Sequence, residues 1–263
     1  GFITAINGVS TRQMTETNAI TSALLGEEGT TTTIGYLTPQ REEQTLDIVH
    51  TNYKAPTVSY QVLNDSVGYL RVYSFASTTG SEFKSAVDSL MDSNVKAMIF
   101  DLRDNSGENL NAALVAADYC LPSGLIASQQ GKDGVITDLR MSDETCLSVP
   151  AVCLVNGSTA GSAELFANAL RKMGDAVLVG TVTAGKGVVM SDPQSFSDGS
   201  AAVITVGILQ DNEAQTWNDV GLTPDVDATL SSDEQNSYYD FTIETDPQIS
   251  KAVAAAQMVA GLN

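Results

Sequence analysis

The sequence predicts an α/β fold in which a mixed, partly parallel sheet is crossed by helices, and three observations predict it. From Val67 onward, apolar runs of strand length alternate with stretches whose apolar residues recur at helical spacing. Strands that alternate with helices are joined by crossovers, which is how parallel pairing is reached. A hydrophobic content of 43% over 263 residues supplies one large core, or one full domain with a small or partial neighbour.

The elements follow in order. Phe2–Ile6 reads as a strand ending in an Asn7-Gly8 turn, Thr15–Leu25 as a helix punctuated by Gly26 and Gly29, and Thr30–Tyr36 as a β-branched strand. Residues 41 to 65 are polar and strand-like, with Leu46–His50 as a strand, and are expected to connect this segment to the rest. Val67–Val72 alternates as a strand, and Phe83, Ala86, Val87, Leu90 and Met91 mark one face of a helix. Val95–Leu102 is a buried-strand candidate, followed by a helix with Leu110, Ala113, Leu114 and Ala117 on one face. Strand Ala151–Val155 leads into a helix over Ala160–Met173, which Gly174 is expected to close. Strands Ala176–Val179 and Ala201–Leu209 and a last helix over Pro247–Met258 complete the chain.

Composition excludes several functions. Thirty-two acidic against thirteen basic side chains give a formal charge of −19, which repels nucleic-acid phosphates and anionic lipid, and no basic patch offsets it. No apolar run reaches the roughly 20 residues that cross a bilayer, and the first residues lack the pattern of a signal peptide. His50 is the one histidine, so a zinc site built on several histidines is excluded, and its place on a strand suits a side chain satisfied by neighbours. Cys120, Cys146 and Cys153 form no C-x-x-C pair, and Cys120 and Cys153 lie in apolar runs as small core residues. Gly180 to Lys186 matches a phosphate-loop spacing, but Gly187 cannot supply the magnesium-binding hydroxyl and no helix pattern follows.

Three segments carry chemistry: Asp101-Leu102-Arg103-Asp104-Asn105-Ser106-Gly107, Asn156-Gly157-Ser158-Thr159-Ala160-Gly161-Ser162-Ala163-Glu164, and Thr183-Ala184-Gly185-Lys186-Gly187. With Gly221-Leu222-Thr223-Pro224-Asp225 and Asp246-Pro247-Gln248, they resemble the C-terminal processing (tail-specific) serine peptidases from about residue 67 to the end. Ile6-Asn7-Gly8-Val9-Ser10, Met14-Thr15 and Leu25-Gly26-Glu27-Glu28-Gly29-Thr30 resemble the second half of a PDZ domain.

The resemblance implies a crotonase/Clp-protease-like core over residues 66–263, connecting strands over 41–65 and a partial PDZ-like segment over 1–40. It implies a Ser/Lys dyad, neither metal nor organic cofactor, and protein or peptide substrates gripped through their C-terminal segments. It also implies work outside the cytoplasm, in a bacterial envelope or secreted, with any membrane anchor in an N-terminal region absent from this chain.

The implied base is Lys186, whose amine must be neutral to take a proton, so its site has to desolvate it. The reactive serine belongs three residues before Glu164, and that position is Gly161. The oxyanion-hole amides fall on Gly107 and Ser162, and the glutamine that orients the lysine is replaced by Met190. Glu108 replaces a glycine of the oxyanion loop, while Asp101 and Arg103 read as a structural anchor. Ser162 or Ser158 could stand in as nucleophile, although Ser158 and Thr159 also suit helix capping. Two readings stay open: a peptidase impaired by Gly161, and a non-catalytic pseudo-peptidase that grips protein tails.

Overall fold

The computed structural model describes residues 2–16, 18–38, 40–64, 66–144 and 146–262. The chain divides into two compact units, Gly1–Ala55 and Pro56–Asn263.

In the first unit, β1 (Phe2–Ile6), β2 (Val9–Ser10), α1 (Ala19–Leu24), β3 (Thr31–Leu37) and β4 (Glu43–Val49) follow in order. The antiparallel sheet runs β2-β1-β3-β4, and β4 pairs with β3 along seven residues from Thr31↔Val49 to Leu37↔Glu43. Residues 43–49, expected in a connector, are therefore a fourth strand of this sheet. The helix is shorter than the expected Thr15–Leu25, of which Thr17 lies outside the described residues. Asn18 is the residue before the first helical turn, and the helix starts after it. His50 follows β4, with Nε2 2.8 Å from Thr32 Oγ1, the satisfied histidine that the sequence suggested.

The second unit opens with β5 (Val58–Leu63), β6 (Val67–Val72), α2 (Thr79–Asp92), β7 (Ala97–Asp101), α3 (Leu110–Asp118), β8 (Gly124–Gly131) and β9 (Ile136–Ser142). It continues with β10 (Ala151–Val155), α4 (Ser162–Gly174), β11 (Val177–Gly180), β12 (Val188–Met190), β13 (Gln194–Ser195), β14 (Ala201–Ala202) and β15 (Thr205–Gln210). It ends with β16 (Val226–Asp227), α5 (Ser232–Asn236) and α6 (Pro247–Val259).

Its central sheet has the order β16-β11-β10-β7-β6-β5, with every pair parallel except β5 with β6. Strands β7 and β10 are buried at every residue, as apolar strands covered on both faces must be. One face packs against α2, α3 and α4, where Phe83, Phe100 and Phe166 meet with ring centroids 5.5 Å apart. The other face packs against α6 through Ile249, Ala252 and Ala256. Asp246 caps that helix by accepting from Gln248 and Ile249 amides, and Pro247 occupies its first position.

A second sheet, β12-β15-β8-β9, contains a hairpin over 124–142 that the sequence reading did not anticipate. The single strand expected over Ala201–Leu209 is two. Ala201–Ala202 pairs with β13 and Thr205–Gln210 with β12 and β8, and pairing in two different sheets breaks the strand between them. Gly174 is the last helical residue of α4, and Asp175, at φ 52, takes the left-handed position beyond it.

Candidate active site

The strand ends of β7, β10 and β11 bring the three chemistry-bearing segments together. After β10, Asn156 Oδ1 accepts from the amides of Asp104, Ser158 and Thr159, which folds 156–160 into a tight turn. Thr159 Oγ1 donates to Leu102 O at 2.9 Å, and Ala160 N donates to Asn105 O at 3.0 Å, so this turn is laced to the loop after β7. Ser158 and Thr159 are therefore not helix caps, because α4 begins later, at Ser162.

The residue before that helix is Gly161, with φ 57 and ψ −120, a conformation that side-chain-bearing residues rarely adopt. A Cβ built there would stand 3.0 Å from Gly107 O and 3.3 Å from Ser106 O, contacts that require these backbone oxygens to give by a few tenths of an ångström. Gly107 has no such latitude: its Cβ would fall 2.4 Å from Ser162 N and 2.2 Å from Ala160 O, so only glycine lets this loop reach the start of α4.

Glu164 organises the arrangement. Fully buried, its Oε2 accepts from the amides of Gly161 at 3.0 Å and Lys186 at 2.8 Å. Its Oε1 accepts from Gly185 N at 2.7 Å and from the Thr183 hydroxyl. One half of a capping box is thus present, and the glycine lacks the oxygen for the other half. Thr183 Oγ1 in turn accepts from Leu222 N at 2.8 Å, fixing the loop to the chain beyond.

The predicted residues Gly107, Gly161, Ser162, Lys186 and Met190 all line one cleft of about 400 Å³, whose apolar wall includes Leu110, Val189 and Leu209. Glu108 lines it too. The Lys186 side chain is exposed, and among the described residues nothing pairs with its ammonium. Ser162 N carries no acceptor among the described residues, whereas Gly107 N donates to Asn105 Oδ1 at 2.9 Å. Met190 Sδ accepts weakly from Thr205 at 3.5 Å.

Asp101 and Arg103 sit outside the cleft as the structural anchor the sequence suggested. Arg103, 2% exposed, donates to Asp101 Oδ2 and Asp246 Oδ2 at 2.7 Å each and to Gln248 Oε1 at 3.0 Å, and Tyr69 OH donates to Asp101 Oδ2 at 2.7 Å. Burial and the Asp101 carboxylate push the Tyr69 phenol well above its ordinary pKa. Sequence reasoning used Glu164 as a motif landmark and missed its role as a hub. The Glu at the third helical position was the available signal. Asn105 and Thr183 were singled out only as members of their segments, and their bonds to Val72 O, Glu164 and Leu222 N lie far apart in sequence.

Comparison with known proteins gives the family and the fold. The model of peptidase family S41 matches residues 66–228. The carboxy-terminal processing protease CtpA of Bacillus subtilis is 28% identical over 239 residues, covering 90% of this chain and 51% of that protein. The chloroplastic carboxyl-terminal-processing peptidase 2 of Arabidopsis thaliana is 34% identical over 161 residues, covering 60% of this chain and 31% of that protein. The chain thus spans about half the length of the first and about a third of the second. The solved structure of a photosystem II D1 C-terminal processing protease matches with a TM-score of 0.63 at 24% identity, covering 95% of this chain and 67% of that one, and shows the same fold.

Proposed function

Because the chain belongs to peptidase family S41, we propose that its cleft is a serine/lysine peptide-processing site lacking its nucleophile, and that the chain as written binds peptides without cutting them. The observation that carries this reading is the Gly161 backbone, which keeps the sharp strand-to-helix turn that displays a nucleophile although it has no hydroxyl to display. A serine there would bear strain of about 1–3 kcal/mol. Its Oγ would face the cleft that Lys186 lines.

In the dyad, the serine hydroxyl gives its proton to the lysine amine as oxygen attacks the peptide carbonyl, and the Ser162 amide takes the developing oxyanion. The exposed Lys186 has to be desolvated by the bound peptide before it can act as a base. Substrates are protein carboxy termini by family resemblance, which relatives named as carboxy-terminal processing proteases support. We also read the first unit as the PDZ-like part, and the workplace as outside the cytoplasm. The second reading, a pure binding module, is favoured by Met190 at the orienting position and by the engagement of Gly107 N with Asn105.

The test is cleavage of an unfolded protein with an apolar carboxy terminus by three forms: the chain as written, Gly161→Ser, and Gly161→Ser with Lys186→Ala. Cutting by the single variant alone is expected. Absence of cutting in every form, with substrate still bound, replaces the dyad with the binding module.

A further inference from the structure

We infer that β5, the outer strand of the central sheet, is an interface between two copies of this chain, paired antiparallel about Tyr60. Strand β5 ends the order β16-β11-β10-β7-β6-β5, so one of its edges has no neighbouring strand among the described residues. Tyr73 N donates to Thr57 O at 2.9 Å. Antiparallel alternation then turns the backbone of Ser59 and Gln61 toward β6, and the N–H and C=O of Val58, Tyr60 and Val62 outward. No other bond reaches the backbone of Tyr60 or Val62 among the described residues.

A bare edge invites pairing, and proteins guard such edges with charge, proline, irregular register or brevity. Among the described residues the other outer strands are guarded. Strands β2, β13, β14 and β16 have two residues each, and β12 has three and an irregular register. Strand β4 carries Glu43 and Asp47, and β9 carries Asp138 and Arg140 with a shifting register. By contrast β5, Val58-Ser59-Tyr60-Gln61-Val62-Leu63, runs six residues in unbroken register with no charge and no proline. Its Tyr60 and Val62 side chains are 48% and 38% exposed.

The pattern of the strand suits its own copy. Val58, Tyr60 and Val62 share one face and read the same in both directions, so a two-fold axis at Tyr60 sets Tyr60 against its counterpart and Val58 against Val62 of the second copy. On the other face Ser59 meets Gln61, both polar and uncharged. In a chain of formal charge −19, an uncharged edge is where two copies repel least. The contact is smaller than the roughly 1,200 Å² of a stable interface, so association is expected to be weak and concentration-dependent.

The test is the molar mass of the full chain by sedimentation equilibrium, from low-micromolar to near-millimolar concentration. The mass should climb from 27.6 kDa toward twice that value. It should climb further in high salt, because salt screens the repulsion between two acidic chains while the edge bonds carry no charge. Tyr60→Lys sets two ammonium groups face to face and should abolish association, with an unchanged urea midpoint showing that the variant is folded. Tyr60→Cys in a Cys146→Ser background should yield a disulfide-linked pair with oxidised glutathione, since opposed hydrogen-bonded residues stand about 5.5 Å apart at Cα. A mass of 27.6 kDa at every concentration overturns the inference and leaves the edge to a strand of another protein. Association that survives Tyr60→Lys, that falls with salt, or that persists in Tyr60→Cys without cross-linking overturns it as well.

Discussion

Asp101 and Glu164 are both fully buried carboxylates near the ends of the central strands, and they are satisfied in opposite ways. Asp101 is closed by charge: Arg103 lies against it and reaches on to Asp246 and Gln248, tying β7 to the cap of α6. Glu164 is closed by backbone, taking amides from Gly161, Gly185 and Lys186 and a hydroxyl from Thr183. A carboxylate neutralised by a guanidinium leaves nothing over for a ligand. One held by amides fixes the shape of the loops that supply them, and those loops border the cleft. The first cluster holds layers together, and the second sets the geometry of a site.

Arg103→Met breaks the first cluster and should have the larger effect. It leaves Asp101 and Asp246 buried without a counter-charge, at a cost of about 3–5 kcal/mol. Equilibrium unfolding by urea measures this. A loss below about 1 kcal/mol would mean that the two carboxylates reach water without the arginine, and the contrast with Glu164 would collapse.

Glu164→Gln sharpens the comparison from the other side. The amide NH₂ that replaces one carboxylate oxygen cannot accept from backbone N–H groups, and each orphaned donor costs about 1–3 kcal/mol. The expected signature is local. Hydrogen exchange should speed up at the Gly185 amide where the NH₂ takes the place of Oε1, or at the Gly161 and Lys186 amides where it takes that of Oε2, while residues 97–101 stay protected. Uniform loss of protection would make Glu164 a general stabiliser like Arg103.

The sequence made the central strands legible because β10 is apolar throughout and β7 is apolar up to its last residue, Asp101, and it made α2 and α6 legible because each buries one face at helical spacing. The residues of the site were legible as positions, and all five line one cleft. Their state was not. The dyad asks for a desolvated lysine and a free Gly107 amide, and the structure exposes the first and occupies the second through Asn105, a contact fixed by loop conformation. The hairpin over 124–142 escaped because its outward residues, among them Val135, Ile136 and Met141, are apolar and exposed, which blurs the alternation that marks a half-buried strand.

A third carboxylate, Asp118, gives the smallest expected effect and tests whether burial is the variable that matters. It accepts from Arg140 Nη2 at 2.6 Å and Nε at 3.0 Å, bonds as short as those of Arg103, but the Arg140 side chain is 33% exposed. Partial burial pushes the Asp118 carboxyl up, while the Arg140 hydrogen bonds, the Asp143 amide and the Arg140 charge outweigh it and hold the pKa below the ordinary range. A carboxyl depressed in the folded state contributes stability above its unfolded pKa of about 3.9 and loses it as pH falls through the lower folded value. Asp118→Asn should therefore cost about 0.2–1 kcal/mol at neutral pH, shrink further in high salt, and converge with the parent as pH falls through the lowered folded value. The Arg103 cluster, shielded from solvent, should keep its contribution in the same salt. If Asp118→Asn instead costs as much as Arg103→Met, geometry alone sets the strength of these pairs, and burial is not what separates the anchor from the surface.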